Sequence, residues 1–164
     1  IDWWVWLLIA GLIVSLVKTQ KVEREIQKIK PTPPVVVRAM YRISLLSSSV
    51  SAGYPDWRGP DQYIIVSVDG KEIIRTSVAK NTFYVDRWYG YSGEIILEKA
   101  IRKGKRLWAS TIDVWLMDKD VITSDDVIAH WTVKDPTKLK KLSTDGTWVK
   151  FNVEKLKEKE QLKY

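Results

Sequence analysis

The stretch Val114-Trp115-Leu116-Met117-Asp118-Lys119-Asp120-Val121-Ile122-Thr123-Ser124-Asp125-Asp126-Val127-Ile128 reads as a strand, an acidic loop and a second strand. Ile112, Val114 and Leu116 alternate with Asp113 and Trp115, the period of a half-buried strand. That strand runs into Asp118-Lys119-Asp120, and a third carboxylate, Asp126, stands where the next strand begins. Carboxylates two apart in an extended segment point the same way, and the returning loop can bring the third beside them. Three such groups repel one another unless they are protonated or neutralised by a cation. An all-oxygen set favours a hard ion, Ca²⁺ before Mg²⁺. For a lone Asp-x-Asp, a solvated acidic loop is the plain alternative.

A second acidic loop, Asp56-Trp57-Arg58-Gly59-Pro60-Asp61, lies just before another apolar strand, Gln62 to Val68. Here the chain resembles a known family. Asp61-Gln62-Tyr63-Ile64-Ile65-Val66 is similar to the D-P-Y-V-x-V signature of C2 domains. Asp118-x-Asp120 followed by Asp126-x-Ile128 resembles their third calcium loop, and Arg75-Thr76-Ser77-Val78-Ala79-Lys80-Asn81-Thr82 resembles the segment between the two loops. The resemblance covers roughly Met40 to Val153. Gln62 stands where the family has proline, Ala129 where it has glycine, and Asp56 precedes Asp61 by five residues rather than six.

The resemblance implies an antiparallel β-sandwich whose first and third loops meet at one end and share calcium. Carried over residue by residue, Asp56, Asp61, Asp118, Asp120 and Asp126 would be the ligands, with Asp125 beside the set. Trp57, Val121 and Ile122 sit on the tips of these loops. In the family such positions dip into the bilayer while calcium bridges to anionic headgroups; folding back against the loops is the other reading. Lys71 and Arg75 on one strand, with Lys80 beyond, would form a basic lipid-binding face. An ordinary solvated lysine face is the competing account.

Composition sets bounds. The 164 residues suit one domain with an appendage. With no Cys there is no disulfide framework, thiol nucleophile or cysteine zinc site. A single histidine, His130, nearly removes imidazole catalysis. With no nucleophile–base set or phosphate loop, the chain reads as a binding module and not an enzyme. The net charge of +7 suggests an acidic partner. Anionic lipid fits that as well as nucleic acid does, and no aromatic–basic motif of a known nucleic-acid type is present.

Trp3 to Val17 is a nearly continuous apolar run headed by three tryptophans. As a helix it rises about 22 Å, a little short of the ~30 Å hydrocarbon core. Its Trp belt and the onset of charge at Lys18 predict an N-terminal membrane-spanning and juxtamembrane helix over residues 1–30. Lys18, Lys21, Arg24, Lys28 and Lys30 outnumber Glu23 and Glu25, which places that flank in the cytoplasm. Pro31-Thr32-Pro33-Pro34 is a stiff spacer. A β-domain over 35–153 follows, then a charged tail over 154–164 with helix-forming residues.

The expected architecture is therefore mainly β: a C2-like sandwich of seven or eight strands behind a long N-terminal helix. The function expected is a single-pass, membrane-anchored module that binds calcium and anionic phospholipid. The alternative is a structural subunit of a membrane complex, or of a filament resembling type IV pilins. In that case the helix self-assembles, calcium only stiffens the β-domain, and the domain lies outside the cell. A processed terminus at Ile1 would suit that alternative.

Overall fold

The computed structural model describes residues 2–29, 35–102 and 104–162. The expected spacer at Pro31–Pro34 lies outside them. The chain divides into two units, Ile1–Pro33 and Pro34–Tyr164.

In the first unit, helix α1 runs Trp3–Ile29 as expected. The Asp2 carbonyl accepts from Val5 N at 3.0 Å and opens the first turn. From Trp3 to Val17 the apolar side chains are exposed all round, unlike the one-sided stripe of a helix resting on a core. Among the described residues no helix is long and apolar enough to cross a membrane, so the expected single-pass transmembrane helix is not supported. The limit is length: the uncharged run ends at Val17, and Lys18, Lys21, Glu23, Arg24 and Glu25 follow.

The second unit is built from antiparallel strands in two sheets. In chain order these are β1 (Val35–Ser49), β2 (Gln62–Val68), β3 (Lys71–Arg75), β4 (Tyr84–Val85), β5 (Ser92–Arg102), β6 (Lys105–Trp108), β7 (Ile112–Asp118), β8 (Asp126–Val133), β9 (Lys141–Thr144) and β10 (Thr147–Leu162). The first sheet has the order β6-β5-β1-β10-β9, with β4 pairing the end of β1, and the second has β3-β2-β7-β8. The first and last strands of the domain lie side by side, from Val35 opposite Leu162 to Ser49 opposite Trp148.

Alternation decides what faces inward. Ala39, Tyr41, Ile43 and Leu45 of β1 are buried in one core with Ile64 and Val66 of β2 and Val114 and Leu116 of β7. Truncating a fully buried member such as Ile64 to Ala would cost about 2–5 kcal/mol, because the packed core collapses only partly into the void. A 3₁₀ turn, Pro136–Lys140, caps one side with the fully buried Leu139. Its Asp135 side chain accepts from Thr137 N at 2.9 Å.

Two tight hairpins follow directly from sequence. Asp69-Gly70 and Asp145-Gly146 both carry φ values of 49° on the Asp, with 80° and 81° on the glycines, the double positive φ that a two-residue hairpin turn demands. One expectation is corrected. Glu154–Leu162 is not a separate tail but continues β10, paired to β1. Leu107 to Met117 is divided between the sheets: β6 ends at Trp108 in the first, and β7 begins at Ile112 in the second. The crossing is pinned by buried Ser110, whose hydroxyl accepts from Glu98 N at 2.9 Å.

Candidate functional site

The first acidic loop, 50–61, leaves the end of β1 in one sheet and enters β2 in the other. Its root is fixed by Gln62, which is fully buried. The Gln62 side-chain oxygen accepts from Ser48 Oγ at 2.7 Å, and its Nε2 donates to the Thr82 carbonyl at 2.9 Å. Trp88 Nε1 donates to the same Ser48 Oγ at 2.9 Å. The backbone of Gln62 also exchanges two hydrogen bonds with Ala79. Proline at this position could make neither the amide clamp nor the backbone donation, so the departure from the family signature is a working part of the loop's foundation.

Gly59 sits in the same loop at φ +87°, and an added Cβ would stand 2.9 Å from Thr82 N. The glycine is needed for both its backbone conformation and the close approach of the neighbouring chain.

The two acidic loops meet. Asp61 N donates to Asp118 Oδ1 at 2.9 Å, and the Asp61 carbonyl accepts from Lys119 N at 2.8 Å. Tyr54, on the first loop, donates its hydroxyl to Asp118 Oδ2 at 3.1 Å. Asp118 and Asp126 are register partners at the joined ends of β7 and β8. Asp118 is buried, and burial is the main cause holding its carboxyl above the ordinary range; the charges of Asp120 and Asp56 add to this, while the bonds from Asp61 N and Tyr54 oppose it. Asp126 is raised first by its hydrogen bond with Asp120 and then by the Asp120 charge. These are mutually repelling carboxylates.

The structure thus brings Asp56, Asp118, Asp120 and Asp126 into one electrostatic neighbourhood. It places Asp61 there through its backbone, while its own Oδ1 accepts from Asn81 N at 2.8 Å. Asp56 Oδ1 accepts from Arg58 N at 3.1 Å and shapes the loop. Among the described residues no group of three or more acidic or imidazole side chains is placed to hold a metal ion. The donor chemistry nonetheless suits a hard cation. A carboxylate offers about four lone-pair sites, and the two hydrogen bonds on Asp118 leave some free.

Two residues that organise the site carried no strong sequence signal. Tyr54 has its hydroxyl pKa raised first by burial and then by its bond to Asp118. Asp125, beside the expected ligands, is a strut: its Oδ2 accepts from Tyr63 Oη at 2.5 Å and its Oδ1 from Asp120 N at 3.1 Å. The bond from Tyr63 is the largest cause lowering the Asp125 pKa, while burial and this bond push the Tyr63 hydroxyl up to about 12.

The loop tips point outward. Trp57 is 86% exposed, Val121 95% and Ile122 96%. They do not fold back on the sandwich. The expected basic face on β3 is not assembled in one place. A register shift between Val66 and Ser67 puts Glu72 opposite Ser67 and Lys71 opposite Val68. Arg75 and Lys71 therefore sit on opposite parities of the strand, and Arg75 Nε is paired with Glu72 at 2.6 Å. Lys80 is exposed in the following turn. His130 is structural in its contacts: its ring stacks on Trp115 at 3.5 Å, and Nε2 lies 2.8 Å from Asp113 Oδ1.

No family model and no curated protein matches the sequence. Solved structures do match. One described as the structure of a C2 domain is 15% identical with a TM-score of 0.47, covering 71% of this chain and 97% of its own. Human GIVD cytosolic phospholipase A2 in complex with methyl gamma-linolenyl fluorophosphonate is 13% identical with a TM-score of 0.50; the match covers 77% of this chain but only 17% of that one. A RIM C2 domain from Drosophila is 13% identical with a TM-score of 0.43, covering 77% of this chain and 100% of its own. At such identities the likeness is one of fold alone, an antiparallel sandwich.

Proposed function

We propose that this C2-type module takes up calcium between its first and third loops and thereby docks on anionic phospholipid. The observation that carries the reading is the crowding of Asp118, Asp120 and Asp126, two of them with raised pKa values, at the pole where the two acidic loops hold Trp57, Val121 and Ile122 almost wholly in water. Bare apolar tips next to carboxylates are costly in water and fit a surface that meets lipid only when the charge is cancelled.

Asp118, Asp120 and Asp126 would hold the ion, with Asp56 and Asp61 closing from the first loop. Bound there, calcium supplies the positive charge that relieves carboxylate repulsion and bridges to lipid phosphate. The remaining work falls to the chain. Asp125 holds Asp120 by its backbone amide, Tyr54 and Asp61 N orient Asp118, and Gln62 anchors the loop that presents Trp57.

The test is co-sedimentation of the full chain with phosphatidylserine vesicles, with calcium and with chelator. The calcium-dependent increment should vanish in the double variant Asp118→Asn, Asp120→Asn while its melting temperature in chelator stays close to that of the parent. An equal increment in parent and variant would remove the mechanism.

A further inference from the structure

We propose that the outer face of the β9–β10 hairpin is a second anionic-lipid contact that acts without calcium. The inference rests on the reading above for which pole meets the bilayer. Lys141 and Lys150 are register partners on adjacent strands, and Trp148 is paired with Ser143 on one side and Ser49 on the other. The Lys150 ammonium lies 4.7 Å and the Lys141 ammonium 5.9 Å from the Trp148 ring centroid. Tyr84, 53% exposed and paired with Ser49, meets the same ring edge-on at 6.0 Å. The result is two ammonium groups beside an aromatic pair.

Among the described residues neither lysine forms an ion pair. Like charges directly opposite each other across a sheet are destabilising, and an anion between them would remove that cost. Lysine on an edge strand such as β9 also discourages edge-to-edge pairing. That accounts for Lys141 but not for Lys150, which lies on β10 between β1 and β9.

Position selects the ligand. Thr147, next to Trp148, accepts from Ser51 N at 3.0 Å through its Oγ1, at the root of the first acidic loop. The patch therefore begins at the pole that carries Trp57, Val121 and Ile122. Lysines flanking an amphipathic aromatic are suited to a headgroup layer, and each Lys near an anionic surface adds affinity that salt weakens. A polybasic contact of this kind would pre-orient the domain before calcium arrives.

The experiment measures partition of the full chain onto phosphatidylcholine vesicles with and without phosphatidylserine, in chelator and in calcium. In chelator, Lys141→Gln with Lys150→Gln should weaken the phosphatidylserine-dependent part by roughly fivefold per lysine, and added salt should shrink the difference. The control, Lys105→Gln with Lys134→Gln, removes equal charge at the far pole and should change it much less. Unaltered binding by the hairpin variant, or an equal loss in the control, overturns the inference. So does a loss confined to single-stranded nucleic acid with vesicle binding intact. The Asp118→Asn, Asp120→Asn variant separates the two readings. It should keep the lysine-dependent binding in chelator, whether or not calcium adds anything in the parent.

Discussion

Asp61 N donates to Asp118 Oδ1 at 2.9 Å, so the last residue of the first acidic loop is tied to the last residue of β7. The same carboxylate takes the Tyr54 hydroxyl on its other oxygen. One buried side chain therefore joins both loops. Asp118→Ala should leave two donors without their acceptor and destabilise the domain by about 1–3 kcal/mol. Asp118→Asn, whose amide oxygen can still accept from Asp61 N, should cost less. Urea denaturation in chelator distinguishes them, and equal loss in the two variants would show that the hydrogen bonds do not hold the loops.

The pH dependence has a definite sign. Asp118 and Asp126 have folded-state pKa values above the ordinary 3.8. Their contribution to stability is complete below the unfolded value and is lost as pH rises through the raised folded values. Asp125, lowered chiefly by its bond from Tyr63, acts the other way, losing its contribution as pH falls through its depressed value. Calcium should abolish the penalty carried by the first pair. The melting-temperature gain on adding calcium should therefore grow from acid toward neutral pH; a gain independent of pH over that window would contradict the assignment.

Gln62 makes the buried junction of Ser48, Thr82 and Trp88. Gln62→Ala would strand the Thr82 carbonyl and leave a void, at a cost of about 2–4 kcal/mol. Gln62→Pro, which supplies the proline of the signature this stretch resembles, should be no better, because the amide to the Ala79 carbonyl is lost as well. Equilibrium unfolding of both variants checks this, and a stabilised proline variant would refute it.

Gly59→Ala tests the foundation of the first loop. The φ of +87° and the 2.9 Å approach to Thr82 N leave no room for a methyl group against backbone. Thermal or urea unfolding should show a loss of at least ~1 kcal/mol, together with weaker calcium binding, since Asp56 and Asp61 bracket the glycine.

Trp57→Ser with Ile122→Ser should behave in the opposite manner. Both side chains are in water, so stability should move by no more than about 0.5 kcal/mol. Calcium binding in solution should persist while vesicle binding falls. A large loss of stability would mean the tips are packed after all.

Much of the sandwich was legible because its strands alternate cleanly. Val114 and Leu116 point inward as their spacing demands, and Asp69-Gly70 and Asp145-Gly146 turn as their side chains allow. Three features were hidden for physical reasons. Lys155 to Lys159 carries charges that suit a solvated helix as well as a strand, and only pairing to β1 over Met40 and its neighbours settles it as strand. The extra residue in β3 shifts parity, so Arg75 meets Glu72 rather than joining Lys71, and no residue type announces such a bulge. Tyr54 and Asp125 matter through partners far along the chain, Asp118 and Tyr63, and sequence order conceals those meetings. The nearness of Asp118 and Asp126 was readable from their spacing. The turning of the Asp61 carboxylate toward Asn81 was not.

The most direct test is calorimetric titration of calcium chloride into chelator-treated full chain, beside the Asp118→Asn, Asp120→Asn variant. Saturable binding by the parent and its disappearance in the variant are the predicted result. Heats that match in the two proteins, or an absence of saturable binding in the parent, would contradict a calcium-holding pole.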